Sequence, residues 1–202
     1  GRRILEIGSG MGYYGEFFRN FELYCATEIH QDYLNTLKEY FSGFSNVLVF
    51  KYDIVEDDPK RFSSLTIDTA VCIEVLEHIE KDAVAMENIY KILIPGGRLI
   101  VFSPALPFLY GPNDSSIGHQ RRYSKKELMD KLKTADFYIE HIFFHNIVGI
   151  PSWFLNSKVL RREVATLSQI KSFERIVPFL KVLEKHIPPF IGLNIIAIAK
   201  KI

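Results

Sequence analysis

The residues of this chain that could do chemistry fall into a few groups, and the first is Glu6-Ile7-Gly8-Ser9-Gly10-Met11-Gly12. An apolar run from Arg2 ends there on an acid and meets glycines at alternate positions. Glycine lacks a Cβ, so such a loop can turn sharply off a strand end and bring its backbone against a flat ligand. A nucleotide-like cofactor suits it, and an ordinary tight turn is the plain alternative. The dinucleotide fingerprint would need glycine where the chain has Tyr13, so a nicotinamide cofactor fits poorly. Two further acids follow apolar runs: Glu28, with Ile29, after Leu23 to Ala26, and Asp53, with Ile54, after Val47 to Tyr52. Glu28 stands close to the ~20-residue offset at which an acid meets a ribose diol in nucleotide folds. Acids closing three successive strands are hard to attribute to chance, because ligands bind at that edge of open α/β sheets. A third group, Glu74-x-x-Glu77-His78, follows Ile73, and its carboxylates and imidazole could hold a divalent ion. The last is His119, in a loop with Tyr110, Asn113, Asp114, Arg121, Arg122 and Tyr123. Its imidazole suits a general base or substrate contact, and equally a structural hydrogen bond. The two arginines could clamp a carboxylate or phosphate, or pin the loop to nearby acids.

Elements alternating between the two periodicities must position these groups. A helix-compatible run spans Tyr13 to Phe21, helices are expected over Asp32 to Phe41 and Asp82 to Ile92, and strands over Asp68 to Ile73 and Arg98 to Ser103. Pro95-Gly96-Gly97 has the chemistry of a type II turn. Ser124 and Glu127 form a capping box for a helix to about Ala135, and strands follow at Tyr138 to His145 and Leu193 to Ala199. This alternation predicts a doubly wound, mostly parallel sheet. The stretch between the last two strands is too long for a structureless loop, so a helical insertion is expected at about 147–192. Phe173, Ile176, Val177, Leu180, Leu183 and Ile187 recur there at helical spacing between Glu174, Arg175, Lys181, Glu184 and Lys185, with a kink or break at Val177 before Pro178. Trp153-Phe154-Leu155 followed by Lys158 and Arg161-Arg162 is apolar and then basic. It reads as a helical cap over the sheet, or as a lid or interfacial patch over an apolar substrate.

At 202 residues and 48% hydrophobic content the chain fills one α/β domain, and a second is not expected. A net charge of +1 gives no global field for nucleic acid or an anionic membrane. No stretch approaches the ~18 uncharged apolar residues of a membrane span and no signal peptide opens the chain, so the expected address is the cytoplasm.

From Arg2 to His145, together with the final strand, the chain resembles class I S-adenosylmethionine (SAM) dependent methyltransferases of the type 11 and 12 branch. The likeness rests on Glu6-x-Gly8-x-Gly10-x-Gly12, on Ile73-Glu74-Val75-Leu76-Glu77-His78-Ile79, and on Leu93-Ile94-Pro95-Gly96-Gly97. It implies a Rossmann-like seven-stranded sheet with an antiparallel last strand, SAM as cofactor and S-adenosylhomocysteine as product. It also implies Glu28 with Ile29 at the ribose, Asp53 with Ile54 at adenine, Glu6 and Gly8, Ser9, Gly10 and Gly12 around the methionine portion, and Ile73 with Glu74 along the pocket. His119 then lies over the expected acceptor site. In this family the second and fourth strands flank the first, so Cys25 and Cys72 are two strand spacings apart, ~9.6 Å. That exceeds the ~7 Å limit for a disulfide, and both are expected to be buried thiols. These enzymes usually carry a helix before the first strand, so the pocket is expected to be open on that side or the chain to be a fragment.

Gly118-His119-Gln120-Arg121-Arg122-Tyr123-Ser124 looks like a branch of uncharacterised bacterial methyltransferases associated with sugar and envelope polymer pathways. A small-molecule or lipid- or sugar-linked acceptor is therefore expected, admitted beneath the insertion, which is also the expected place of any peripheral membrane contact. The Glu74-x-x-Glu77-His78 spacing, with His119, resembles the metal motif of small-RNA 2′-O-methyltransferases. The same letters occur in relatives without metal, and phosphate contacts need clustered Lys and Arg, so the expectation is no functional metal. A metal-dependent RNA ribose methyltransferase and a non-catalytic nucleotide-binding module remain the alternatives.

Overall fold

The computed structural model describes residues 1–161 and 190–202. The expected helix over Phe173 to Ile187, its break at Pro178, and Arg162 lie outside the described residues.

The alternating pattern builds strands β1 (Arg3–Ile7), β2 (Leu23–Glu28), β3 (Val47–Lys51), β4 (Thr69–Ile73), β5 (Arg98–Pro104), β6 (Phe137–His145) and β7 (Asn194–Lys201). They form one sheet in the order β3-β2-β1-β4-β5-β7-β6, with β7 antiparallel to both of its neighbours and the other pairings parallel. Helices α1 (Gly15–Phe18), α2 (Gln31–Tyr40), α3 (Asp82–Ile92), α4 (Pro112–Ser116), α5 (Lys125–Thr134) and α6 (Gly149–Phe154) connect them. α1 is a single turn, much shorter than its apolar sequence suggests, because Gly12 and Gly15 pack flat against α2 and β2. A methyl on Gly12, at φ +87°, would sit 2.9 Å from Leu37 Cδ2. α5 starts as expected, with Ser124 Oγ accepting from the Glu127 amide at 3.1 Å. Gly96 has φ +80°, as the type II turn requires.

Strand alternation divides the core between the two sheet faces. Leu5, Cys25, Ala70, Cys72, Leu99 and Val101 point to one face and join Met86, Ile89, Leu128 and Leu132 from the helices. Ile4, Tyr24, Ala26 and Val71 point to the other and meet Leu37 and Phe41. β6 carries an irregularity between Ile139 and His141, and Glu140 there takes a two-pronged bond from Arg98 at 2.7 and 3.0 Å. Both groups are solvent-accessible, so the pair fixes register more than it stabilises.

Cys25 lies opposite Leu5, and Cys72 opposite Ile7, on strands either side of β1. Both are free and buried. Burial pushes the Cys25 thiol up to about 12 and raises that of Cys72 as well. Thiolates are the reactive form, so neither should react in the folded protein. At pH 8 a maleimide should label nothing in the native chain and both thiols once guanidinium unfolds it. Mass-spectrometric detection of rapid native labelling at either position would contradict this packing.

Candidate functional site

Strand order reverses between β1 and β4, so their carboxyl ends diverge and leave a crevice, the place where open α/β sheets hold ligands. A cavity of about 710 Å³ occupies it, lined by Ile7, Gly8, Glu28, Ile29, Asp53, Ile54, Glu74 and His78 among others. Gly8 has φ +68°, and a methyl there would lie 2.7 Å from Val75 Cγ2. Only glycine lets the strand end pass this close beneath the cavity.

Glu28 is buried, and its carboxylate collects three backbone amides: Gly10 to Oε2 at 2.9 Å, and Ile29 and His30 to Oε1 at 2.8 and 2.9 Å. Two oxygens can accept about four hydrogen bonds, so capacity remains for a ligand hydroxyl. Asp53 Oδ1 accepts from the Val55 and Glu56 amides at 2.8 and 3.3 Å, which aims the side chain while Oδ2 takes part in neither bond. Beside it Ile54 is buried, its carbonyl held by Asn88 Nδ2 at 2.8 Å.

Other expected cofactor contacts stand elsewhere. Glu6 is 2% exposed and accepts from the Tyr24 hydroxyl on β2. Burial raises its pKa, the Tyr24 bond opposing, and the side chain props the glycine loop from below instead of lining the cavity. Ser9 is buried too, and its amide donates to Thr27 O at 2.8 Å. The Gly10 amide is spent on Glu28, and Gly12 faces α2. Ile73 packs into the small core with Ile4 and Val71, one residue out of phase with Glu74. His30, Tyr33, Tyr52, Ile79, Lys81 and Ile117 also line the cavity. No spacing in the sequence singles them out, since they converge through the end of β3, the start of α2 and the loops after β4 and β5.

A second polar cluster adjoins the cavity. Glu74 sits at φ +53°, which swings its side chain into the cavity, where Asn194 Nδ2 reaches Oε1 at 3.1 Å. Glu77 is 0% exposed; Oε2 accepts from Ser103 at 3.1 Å, Oε1 lies 3.9 Å from His119 Nε2, and the Glu74 carboxyl is close enough to share a proton with it. His119 is buried as well, with Nδ1 3.1 Å from Asp114 Oδ1. Arg122 Nε donates to the same oxygen at 2.8 Å, and its guanidinium lies 4.3 Å from the Trp153 ring centroid. Burial alone would raise Asp114, but the bonds from His119 and Arg122 hold it below the usual carboxylate range. Arg121 caps Ile79 O and Glu80 O at 2.8 and 3.0 Å and pairs with Asp82 at 2.7 Å. Both arginines therefore pin their loop, and neither offers a fork to a ligand. Burial lowers the His78 pKa, with the neighbouring His119 adding to it. Glu77, His78 and His119 bring one donor atom each to within 4.8 Å of one another.

Residues 5–99 match the family model described as a methyltransferase domain. The compactin diketide synthase mlcB of Penicillium citrinum is 31% identical over 108 residues, covering 49% of this chain and 4% of that protein. The hybrid PKS-NRPS synthetase gkaA of the same species is 32% identical over 106 residues, covering 49% and 3%. The chain thus spans only a small fraction of these relatives' length. Among solved structures, an S-adenosylmethionine dependent methyltransferase from Mesorhizobium loti superposes with a TM-score of 0.68 at 12% identity, over 98% of this chain and 90% of that one. A putative methyltransferase from Bacillus halodurans gives 0.65 at 18%, over 98% and 92%.

Burial, with the neighbouring Glu74 charge adding to it, pushes Glu77 up to about 8. A raised carboxyl makes the folded state hold a proton that the unfolded chain releases near its ordinary value of about 4.5. Its contribution to stability is full below that value, falls as pH rises, and is gone above about 8. In EDTA-treated protein, Glu77→Gln should melt at the same temperature as wild type near pH 4.5 and several degrees higher near pH 8, by differential scanning calorimetry. Parallel melting curves at both pH values would show that Glu77 is ionised in the fold.

Proposed function

The chain carries a class I, Rossmann-like SAM-dependent methyltransferase domain, and from its site we propose that it moves a methyl group from SAM to a small-molecule or lipid- or sugar-linked acceptor. The observation that carries this reading is the trio of Gly8, Glu28 and Asp53 around one cavity at the strand reversal. The remaining acceptor capacity of Glu28 suits the ribose hydroxyls, Asp53 Oδ2 suits an adenine amino group, and Ile29 and Ile54 supply apolar surface for the ring. Gly8 lets the methionine portion pass along the backbone. The donor set fits SAM better than a dinucleotide, because the five carboxylates that line the cavity, Glu28, Asp53, Glu56, Glu74 and Glu80, outnumber its one lysine and would oppose a pyrophosphate.

Bound there, the cofactor supplies an electrophilic methyl on its sulfonium. Transfer is an in-line displacement, so the protein's task is to hold nucleophile, methyl carbon and sulfur collinear. Glu74, His78 and Ile117 line the same cavity, and on this reading the acceptor approaches past them. His119 lies behind Glu77 and His78, so on this reading it acts through them rather than by touching the acceptor. Phe154, Leu155, Val159 and Leu160 expose apolar surface beside Lys158 at the start of the insertion, which favours an apolar or lipid-linked acceptor. The named products of the relatives, a compactin diketide among them, are small molecules and point the same way. No helix among the described residues is long and apolar enough to cross a membrane, so lipid contact would come through this surface.

Calorimetric titration with S-adenosylhomocysteine should show a single site. Asp53→Ala should weaken it by roughly tenfold, the equivalent of about 1.4 kcal/mol, and Glu28→Ala by more, since that variant also frees the glycine loop. No heat with this ligand would end the methyltransferase reading, and a Glu28→Ala variant binding like wild type would end the ribose assignment. Incubation with labelled SAM and fractionated extract should place label in lipid or small-molecule fractions; label confined to protein or RNA would remove the acceptor reading.

A further inference from the structure

We propose, building on the lipid-linked form of the acceptor reading, that the head of the insertion is a docking surface for an anionic lipid bilayer. Phe154, Leu155, Val159 and Leu160 would enter the acyl boundary, with Lys158 and Arg161 at the headgroups. The stretch formed by α6 and the π turn that continues it (Leu155–Val159) has two different sides. Its inner side is fastened to the loop after β5. Trp153 Nε1 and Ser157 Oγ both reach Leu109 O at 3.3 Å, and the Trp153 ring lies against the Arg122 guanidinium. The residues that flank these anchors turn outward: Phe154, Leu155, Val159 and Leu160 are all exposed, Val159 at 59%. Four large apolar side chains within seven positions form a patch, where a soluble surface scatters such residues singly.

The far root of the insertion extends it. Phe190 and Ile191 are exposed as well, Phe190 at 82%. Both roots are tied at Asn146, whose carbonyl accepts from the Leu193 amide at 3.1 Å and whose side chain accepts from the Gly149 amide at 3.0 Å.

Charge names the occupant. Lys158 and Arg161 are exposed beside the apolar residues, and neither positions 147–161 nor positions 190–194 contain an acid. Across positions 147–192 the sequence carries seven Lys and Arg against three Glu, in a chain whose net charge is only +1. A second copy seated on this face about a two-fold axis would bring the same cations together with no acid to offset them. An anionic bilayer meets both demands, since it offers an apolar boundary beneath a negative surface. Lys158 Nζ donates to Tyr110 O, which orients the ammonium and leaves two of its three hydrogens for phosphate oxygens.

The surface and the reaction share one loop. Leu109 and Tyr110 hold the docking helix, and Ile117, further along the same loop, lines the cofactor cavity. An acceptor held in the bilayer requires such an arrangement.

The test is co-sedimentation of the protein with vesicles of phosphatidylcholine alone and of equal parts phosphatidylcholine and phosphatidylglycerol. S-adenosylhomocysteine calorimetry and sedimentation velocity are run on the same samples. Partition into the anionic vesicles should exceed that into the neutral ones by roughly tenfold or more, and high salt should release the protein. Leu155→Ser combined with Val159→Ser should cut partition by roughly tenfold, and Arg161→Glu by about fivefold, with S-adenosylhomocysteine binding unchanged in both. No partition by protein that still binds S-adenosylhomocysteine would overturn the docking surface and leave the cofactor reading intact. Equal partition into neutral vesicles, or partition that these exchanges leave unchanged, would overturn it too. So would a dimer that forms in place of vesicle binding and that the Leu155 and Val159 exchanges dissociate. Partition lost in these variants, in protein that does not bind S-adenosylhomocysteine, would support the docking surface and sink the cofactor reading instead.

Discussion

The carboxylate of Glu28 holds the carboxyl edge of the sheet together. A buried charge without partners costs several kcal/mol, and three backbone amides from two different loops satisfy this one. By accepting from Gly10 it fixes the glycine loop after β1; by accepting from Ile29 and His30 it fixes the turn into α2. The floor and one wall of the cavity are therefore set by a single side chain. Its negative charge, with Asp53 and Glu74 around the same space, favours hydroxyl and amino donors there over phosphates.

Much of this was legible in the sequence because it is local. An acid at a strand end lies at the sheet edge whatever the rest of the fold does, so Glu28 and Asp53 could be placed from periodicity and turn residues, while Glu74 came through the family resemblance. Ile73 and Glu6 show the limit of that logic. Period-two alternation puts Ile73 on the face opposite the main core, and Glu6 turns to Tyr24, a partner 18 residues away on the neighbouring strand. The fates of Arg121 and Arg122 were open in the sequence for the same reason: the carbonyls and acids that occupy them come from the loop after β4, the start of α3 and the loop after β5. The fold class, strand order and antiparallel β7 follow the family pattern throughout the described residues.

The two sides of the site obey different physics. Toward the cofactor, groups are held by backbone amides and keep lone pairs facing open space. Toward the loop after β5, polar groups are buried and consume one another in a chain from Arg122 through Asp114 to His119. That chain ends at Glu77, 42 positions from His119 in sequence but 3.9 Å away. Fully satisfied buried networks rigidify, and this one ties the loop after β5 to the end of the sheet.

The antiparallel seventh strand has a consequence for synthesis on the ribosome. Among the described residues β6 pairs with β7 alone, and β7 also separates it from β5. When Phe137–His145 leaves the exit tunnel, its partner is still untranslated beyond the whole stretch up to Asn194. At about 5–20 residues per second, this strand waits several seconds with both edges bare. It carries Phe137, Ile139, Ile142, Phe143 and Phe144, an apolar content that invites pairing between nascent chains. Glu140, His141 and His145 interrupt that run, and their polar side chains serve as gatekeepers during the interval before the sheet can close.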